Sequence, residues 1–259
     1  MANTKNPQDF KLDEYIMDHV LNSTEWHLPF LPTIHLPHLT LHGAMLIIAS
    51  FILIITFCFL YKKEQVVPKG LTNCLEAFII FIRDDIVAPC MGEKDVRKMT
   101  PLFCTFFFFI LTLNIMGLIP IFSTATANVN VTAGLASITL GFMIFGTIYK
   151  NGFKGFMQAI TPSGVPLPVL FILVPIEFIG LIIKSFSLTI RLFANLLAGH
   201  IVIFALLGLA VIVGMGAVVP AVLLALFIYL LEIMVAFLQA YVFTLLSAMF
   251  IGQMYNPHH

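Results

Sequence analysis

Residues 155–259 carry four charged side chains, Glu177, Lys184, Arg191 and Glu232, and are otherwise largely apolar. A charge inside a long apolar run is costly, so each of the four is a candidate for function. Glu177, Lys184 and Arg191 are spaced by seven. At about 100° per residue, seven residues drift only about 20° around a helix, so the three share one face. Ser187 and Asn195 flank Arg191 at i−4 and i+4, nearly on the same face. Later in the chain Glu232 and Gln239 are again seven apart, and His200 follows Arg191 by nine. A guanidinium keeps its proton at every accessible pH, whereas carboxylates and imidazole exchange theirs. A permanent cation between two sets of exchanging groups stops a cation from passing straight through. It would attract a carboxylate brought by a partner.

Two long apolar stretches, 168–212 and 217–254, carry these residues. In an antiparallel hairpin, residues at one depth have a nearly constant index sum. Arg191 with Gln239, His200 with Glu232, Glu177 with Gln253, and Ser187 with Thr244 all sum to 430–432, which places the turn at residue 215 or 216. The sequence there reads Gly214, Met215, Gly216 and then Pro220, which suits a turn. Arg191 and Gln239 fall mid-hairpin. His200 and Glu232 lie ~13 Å to one side, and Glu177 and Gln253 ~21 Å to the other. Blander readings stand beside this one. Single Ser, Thr or Gln residues in membrane helices commonly hold helices together, Arg191 could pair with Glu177 or Glu232, and Glu177 could pair with Lys184.

The chain around these residues is built for a bilayer. Its 259 residues are 60% hydrophobic and 10% charged, with mean hydropathy +1.02. A soluble domain carries about 25% charged residues, so a soluble enzyme, a disordered chain and a nucleic-acid binder are excluded. Thirteen basic and thirteen acidic residues leave no net charge. Apolar runs near 43–61, 100–120 and 132–149 join the two long ones, and 71–88 reads as an amphipathic helix on the membrane surface. The expected fold is all-α and polytopic, with about five membrane-crossing helices plus one surface helix. A run of 37 residues would reach roughly 55 Å as a helix against a hydrocarbon core of ~30 Å, so the last two must form a strongly tilted hairpin. Residues 1–42 form a polar arm, and 43–259 the membrane domain. Basic residues follow the first and third crossings, which puts those segments and the C-terminus in the cytoplasm and the N-terminus outside. No secretory signal pattern opens the sequence. Cys58, Cys74, Cys90 and Cys104 lack metal-ligand spacing and read as buried small residues. His27, His35, His38 and His42 are interrupted by prolines, so no metal site is expected. No cofactor is expected, and no phosphate-binding glycine loop is present.

The run SLTIRLFANLLAGH, from Ser187 to His200, closely resembles the signature of subunit a of F-type ATP synthases. Glu232 through Gln239 to Tyr241 resembles the last helix of that family, as do ANVNVT from Ala127 to Thr132 and the segment from Asn114 to Pro120. The likeness covers about 43–255. It implies a proton-translocating stator subunit, with two offset half-channels that load and unload carboxylates of a rotating ring of c subunits; a Na⁺-translocating version is the alternative. It implies Arg191 as the stator arginine, Gln239 and Asn195 as its neighbours, and Glu177 in the cytoplasmic half-channel. His200 and Glu232 would line the half-channel from the opposite side. Bacterial relatives often have Glu then His at these two positions, and mitochondrial ones His then Glu, as here. Asn114 matches a polar position of the second crossing, while Gly117 and Phe122 stand where some relatives carry aspartates. The implied partners are the c-ring, b subunits of the peripheral stalk, the catalytic head indirectly and the lipid bilayer. The implied location is a bacterial inner membrane. As a lone chain it would not itself act on nucleotide.

Overall fold

The computed structural model describes residues 25–26, 34–35, 40–60, 70–119, 122–161 and 167–256. In the arm, Glu25–Trp26 and Ile34–His35 pair as two-residue antiparallel strands, with Glu25 opposite His35. His27 and His38 lie outside the described residues. Among the described residues, everything else with regular structure is helical.

α1 (Leu41–Ile55) starts at Thr40, whose Oγ1 accepts the Gly43 backbone N–H at 3.3 Å, and ends in a π-helical stretch, Thr56–Leu60. α2 (Leu71–Phe81) continues through a π stretch, Ile82–Val87. It is amphipathic: Ile82, Ile86 and Val87 are buried, while Arg83, Asp84 and Asp85 are exposed. The Arg83 guanidinium, hydrogen-bonded to Asp84, holds that carboxyl below its ordinary range. α3 (Glu93–Leu118) begins seven residues before the apolar run that marks it in the sequence. Hydropathy registers only the apolar part, but Glu, Lys and Arg are good helix formers, and Glu93 and Asp95 in the first turn suit the helix dipole. α4 (Val129–Gly141) is capped by Asn128, whose Oδ1 accepts the Asn130 N–H at 2.9 Å. It passes through a π stretch, Phe142–Gly146, into α5 (Thr147–Ile160), which is broken at Gly152, φ 72°. This crossing therefore runs past the Tyr149 limit expected from hydropathy.

α6 (Leu167–Val213) and α7 (Met215–Tyr255) have 47 and 41 residues, and Gly214, at φ 92°, is the only residue between them. A positive φ favours glycine there. The expected hairpin is present, with its turn one or two residues from the expected midpoint. With five helices among the described residues long and apolar enough to cross a bilayer, the chain is a polytopic all-α membrane protein.

The core lies where α3 meets α7 and α2. Phe106 packs edge-on to Phe243 at 5.8 Å, Phe107 to Phe237 at 5.5 Å, and Phe78 lies against Phe107 and Phe108. Lipid tails are as apolar as these rings, so close packing rather than burial holds them, and small residues allow it. Ala236, Ala240, Ala248 and Gly252 are the buried side of α7. The Tyr255 end of α7 is tied down further. Lys150 pairs with Asp95 and donates to Tyr255 O and Asn256 Oδ1, both at 3.1 Å, and Asn151 donates to Tyr255 O at 3.0 Å. The other side of the hairpin is bare. The most apolar stretch of α3 is 56% buried, whereas those of α6 and α7 are each 11% buried. Cys58 and Cys74 are exposed rather than buried. On a membrane protein an apolar neighbourhood marks the lipid side as readily as the interior.

Candidate functional site

The His200–Glu232 rung forms as the index sums require. His200 Nδ1 lies 3.3 Å from Glu232 Oε1, and both side chains are largely buried. The carboxylate approaches α6 at Gly199, where any Cβ would collide with it. On its other edge, His200 Nε2 is 3.1 Å from Gly117 O and 2.6 Å from Thr124 Oγ1. A carbonyl only accepts, so Nε2 carries the hydrogen. Nδ1 then either donates to an ionised Glu232 or accepts from a protonated one. In either arrangement one hydrogen lies between the imidazole and the carboxylate.

Below this rung, Asn114 is fully buried on α3 and donates from Nδ2 to Ala236 O on α7 at 3.2 Å. Gln239 is buried one turn further along α7. Among the described residues, four buried side-chain atoms lack a hydrogen-bond partner: Asn114 Oδ1, Thr126 Oγ1, Glu232 Oε2 and Gln239 Nε2. Each such atom costs about 1–3 kcal/mol unless water or a proton carrier satisfies it. They belong to the elements that meet around the His200 rung and Asn114.

Arg191 stands apart from these groups. It is exposed on α6, on the bare side of the hairpin, with Ser187 also exposed one turn before it and Asn195 half-buried one turn after. The expected level partner, Gln239, faces the interior instead, and no hydrogen bond joins the two. Among the described residues, no carboxylate lies within ion-pair distance of Arg191. Glu177 is exposed on the same helix.

Two further expected rungs are not made. Gln253 Oε1 accepts from Lys184 Nζ at 3.3 Å, and Lys184 also sits 5.4 Å over the Phe250 ring. Gln253 thus meets the side chain one heptad step nearer the turn than Glu177. The shared face is right and the depth is not, because a constant index sum holds only where two helices keep parallel axes. The same contact leaves Glu177 and Lys184 without an ion pair. Ser187 points away from Thr244, whose Oγ1 donates to Ala240 O within its own helix at 2.8 Å. The buried serine of this stretch is Ser185, donating to Ala136 O at 2.9 Å, and Ser247 bonds Thr139 at 3.1 Å. Thr124 and Gly199 were also not singled out as site residues. A hydroxyl in an uncharged loop and a glycine beside a histidine carry no distinctive spacing.

Comparison with known proteins addresses the family. Residues 43–252 match the family model described as ATP synthase A chain. The chain is 46% identical over 217 residues to ATP synthase subunit a of Anaeromyxobacter dehalogenans, an alignment covering 82% of this chain and 57% of the relative. It is 45% identical over 257 residues to ATP synthase subunit a of Chloroherpeton thalassium, covering 93% of this chain and 76% of that one. A third relative, ATP synthase subunit a 2 of Chlorobium luteolum, is 42% identical over 262 residues, with 95% and 76% covered. The chain therefore spans little more than half of the Anaeromyxobacter proteins and about three quarters of the others. The matched stretch takes in all five membrane-length helices, the His200–Glu232 rung and the exposed arginine, and by that match the chain belongs to the ATP synthase A chain family.

Proposed function

We propose that this chain is the stationary, proton-conducting subunit of an ATP synthase membrane sector. Arg191 carries the reading. A guanidinium in the hydrocarbon region costs about 2.5–3.5 kcal/mol or more, and this one faces outward with no acid beside it among the described residues. It calls for a carboxylate on a partner lying against the bare α6–α7 face, and a ring of c subunits would supply one at each step. The partnerless polar atoms around His200, Glu232, Asn114 and Gln239 support a hydrated path leading from one membrane face toward that meeting point. A rung that shares a proton between imidazole and carboxylate favours H⁺ over Na⁺ as the ion.

Protons would enter past His200 and Glu232, reach the ring carboxylate near Arg191, travel with the ring, and leave past Glu177. Glu177, exposed and free of Lys184, would keep the exit negative and wet, with Ser187, Asn195 and Gln253 lining or flanking it. The basic residues Arg97, Lys98, Lys150 and Lys154 would mark the cytoplasmic side. Residues 1–42 would then lie outside a bacterial inner membrane and 43–259 form the membrane domain, with b subunits and, through them, the catalytic head as further partners. Purification of the tagged chain in mild detergent should bring down a c-ring and the catalytic head. A chain that purifies alone, or with a different complex, overturns the reading.

Gly199 supplies a second check. Alanine in place of a helical glycine ordinarily gains about 1 kcal/mol. Here the new methyl would push the Glu232 carboxylate away from α6. Gly199→Ala is expected to leave assembly and thermal stability unchanged or improved while proton flux through reconstituted vesicles falls several-fold. Unchanged flux would show that the close approach has no role.

A further inference from the structure

The uncharged segment Phe122–Asn128 is held between two imidazoles. His200 reaches it from α6 through Thr124. From α1, His42, 2% exposed, sets Nε2 3.3 Å from Ser123 Oγ and Nδ1 3.3 Å from Asn128 Nδ2. The state of the His42 ring follows from the amide. Asn128 Oδ1 is occupied by the Asn130 N–H, so the NH₂ group faces the ring. An NH₂ group only donates, so Nδ1 accepts and Nε2 carries the hydrogen toward Ser123. Both histidines thus aim an N–H at the hydroxyls of adjacent residues.

An open cavity of about 570 Å³ borders His42, with Thr40, Asn128 and Asn130 as polar lining and Leu46 and Phe109 as apolar lining. The other ionisable groups near this end are few. α1 has no charged residue, nor have α4 and the 122–128 segment. The charges of α3 lie in its first turns at the opposite end. α6 and α7 contribute His200 and Glu232, together with Tyr229, whose hydroxyl donates to Leu118 O at 3.1 Å.

We propose that His42 is a proton-loading residue ahead of His200, with the Ser123 and Thr124 hydroxyls handing the proton between them. The proposal rests on the proton-conducting reading above. A proton arriving through the cavity adds to His42 Nδ1 and displaces the Asn128 amide. The Nε2 proton moves to Ser123 Oγ as that hydroxyl releases its own to a water molecule between the two hydroxyls. The Glu232 proton passes onward to the ring, water exchange moves the His200 hydrogen from Nε2 to Nδ1, where it faces the Glu232 carboxylate, and the bare Nε2 takes the Thr124 hydroxyl proton as the water gives its own to Thr124 Oγ1. The His200 Nδ1 proton then passes to Glu232, and water exchange returns the His42 hydrogen from Nδ1 to Nε2, which restores both starting tautomers. One proton moves in the cycle, and no other bond changes.

The test uses the whole synthase in vesicles, with pH varied in the compartment facing His42. His42→Gln keeps a polar side chain but cannot titrate. Its proton flux is expected to fall about tenfold, less than the ~100-fold typical of a positioned proton-transfer group because water can partly substitute. His42→Glu should restore most of the flux, with the half-maximal pH moved down by about 2 units, the gap between ordinary imidazole and carboxyl groups. Imidazole added to that compartment should rescue His42→Gly, and Ser123→Ala, which leaves the ring in place, should lower flux several-fold. Normal flux in His42→Gln across the pH range overturns the proposal. So does a loss that neither glutamate nor imidazole relieves, since that would make His42 a packing residue. Arg191→Gln is the control: if it still pumps, the proton-conducting reading itself fails, whatever His42 does.

Discussion

Arg191→Gln is expected to abolish ATP-driven proton pumping in membrane vesicles. The loss should be about a hundredfold or more, the scale on which removing one positioned charge-stabilising group acts. The side chain is exposed on α6, and among the described residues no carboxylate lies within ion-pair distance of it. On the proposed function its charge would be available to a ring carboxylate, and a permanent charge would keep the two half-paths apart. Without it, vesicles should also lose an imposed pH gradient faster while the catalytic head is idle, because nothing then obliges a proton to travel with the ring. Lysine should recover little: it is a point charge that cannot present a planar fork, and it can deprotonate where water is scarce. A fluorescent pH probe and an ATP hydrolysis assay on the same vesicles read both effects. Normal pumping by Arg191→Gln would remove the stator role.

The second large effect belongs to His200 and Glu232. Changing either to leucine strands its partner, and breaking a buried pair in this way costs about 3–5 kcal/mol unless the remaining group neutralises itself. Either route removes the shared proton, so both single variants should lose about tenfold or more in flux, as expected for a positioned proton carrier. The exchanged double variant, His200→Glu with Glu232→His, keeps one imidazole and one carboxylate in the rung. It should recover more flux than the worse of the two polar singles, a coupling that a double-mutant cycle reads directly. Recovery should be partial. Gly199 makes room for a slim carboxylate at position 232, and an imidazole there is wider. No recovery at all would mean that the two side chains act separately.

Where the sequence was informative, one physical rule was enough. Length and hydropathy fix a membrane helix, so the five crossings and the hairpin turn beside Gly214 could be read in advance. Helical periodicity fixes faces, so Glu177, Ser187 and Arg191 do share one. Depth between two helices depends also on their crossing angle, which no periodicity encodes. That is why the His200–Glu232 rung near the turn is correct while Gln253, farther from it, meets Lys184. Arg191 and Gln239 show the same limit in another form: equal depth says nothing about whether two side chains point toward each other. Thr124 and the Gly117 carbonyl enter the site through a chain reversal between α3 and α4, and only the folded backbone brings them to His200.

The fastening of α7 has a mechanical consequence. From Ala236 onward, buried side chains recur at nearly every turn, and the end is gripped by Lys150 and Asn151. Between Val218 and Val235 only Ala221 and Ala225 are buried. The helix is thus a beam clamped at the Tyr255 end, held again where Tyr229 donates to Leu118 O, and least supported toward the Gly214 turn. A sideways load on such a beam bends it most where it is unsupported, and the deflection dies away toward the clamp. Glu232 sits just short of Ala236, at the boundary between the less supported span and the packed one. A body sliding past the bare face would deform the span beyond Glu232 while leaving Gln239 in place, so the distance between those two levels is the one the fold leaves elastic.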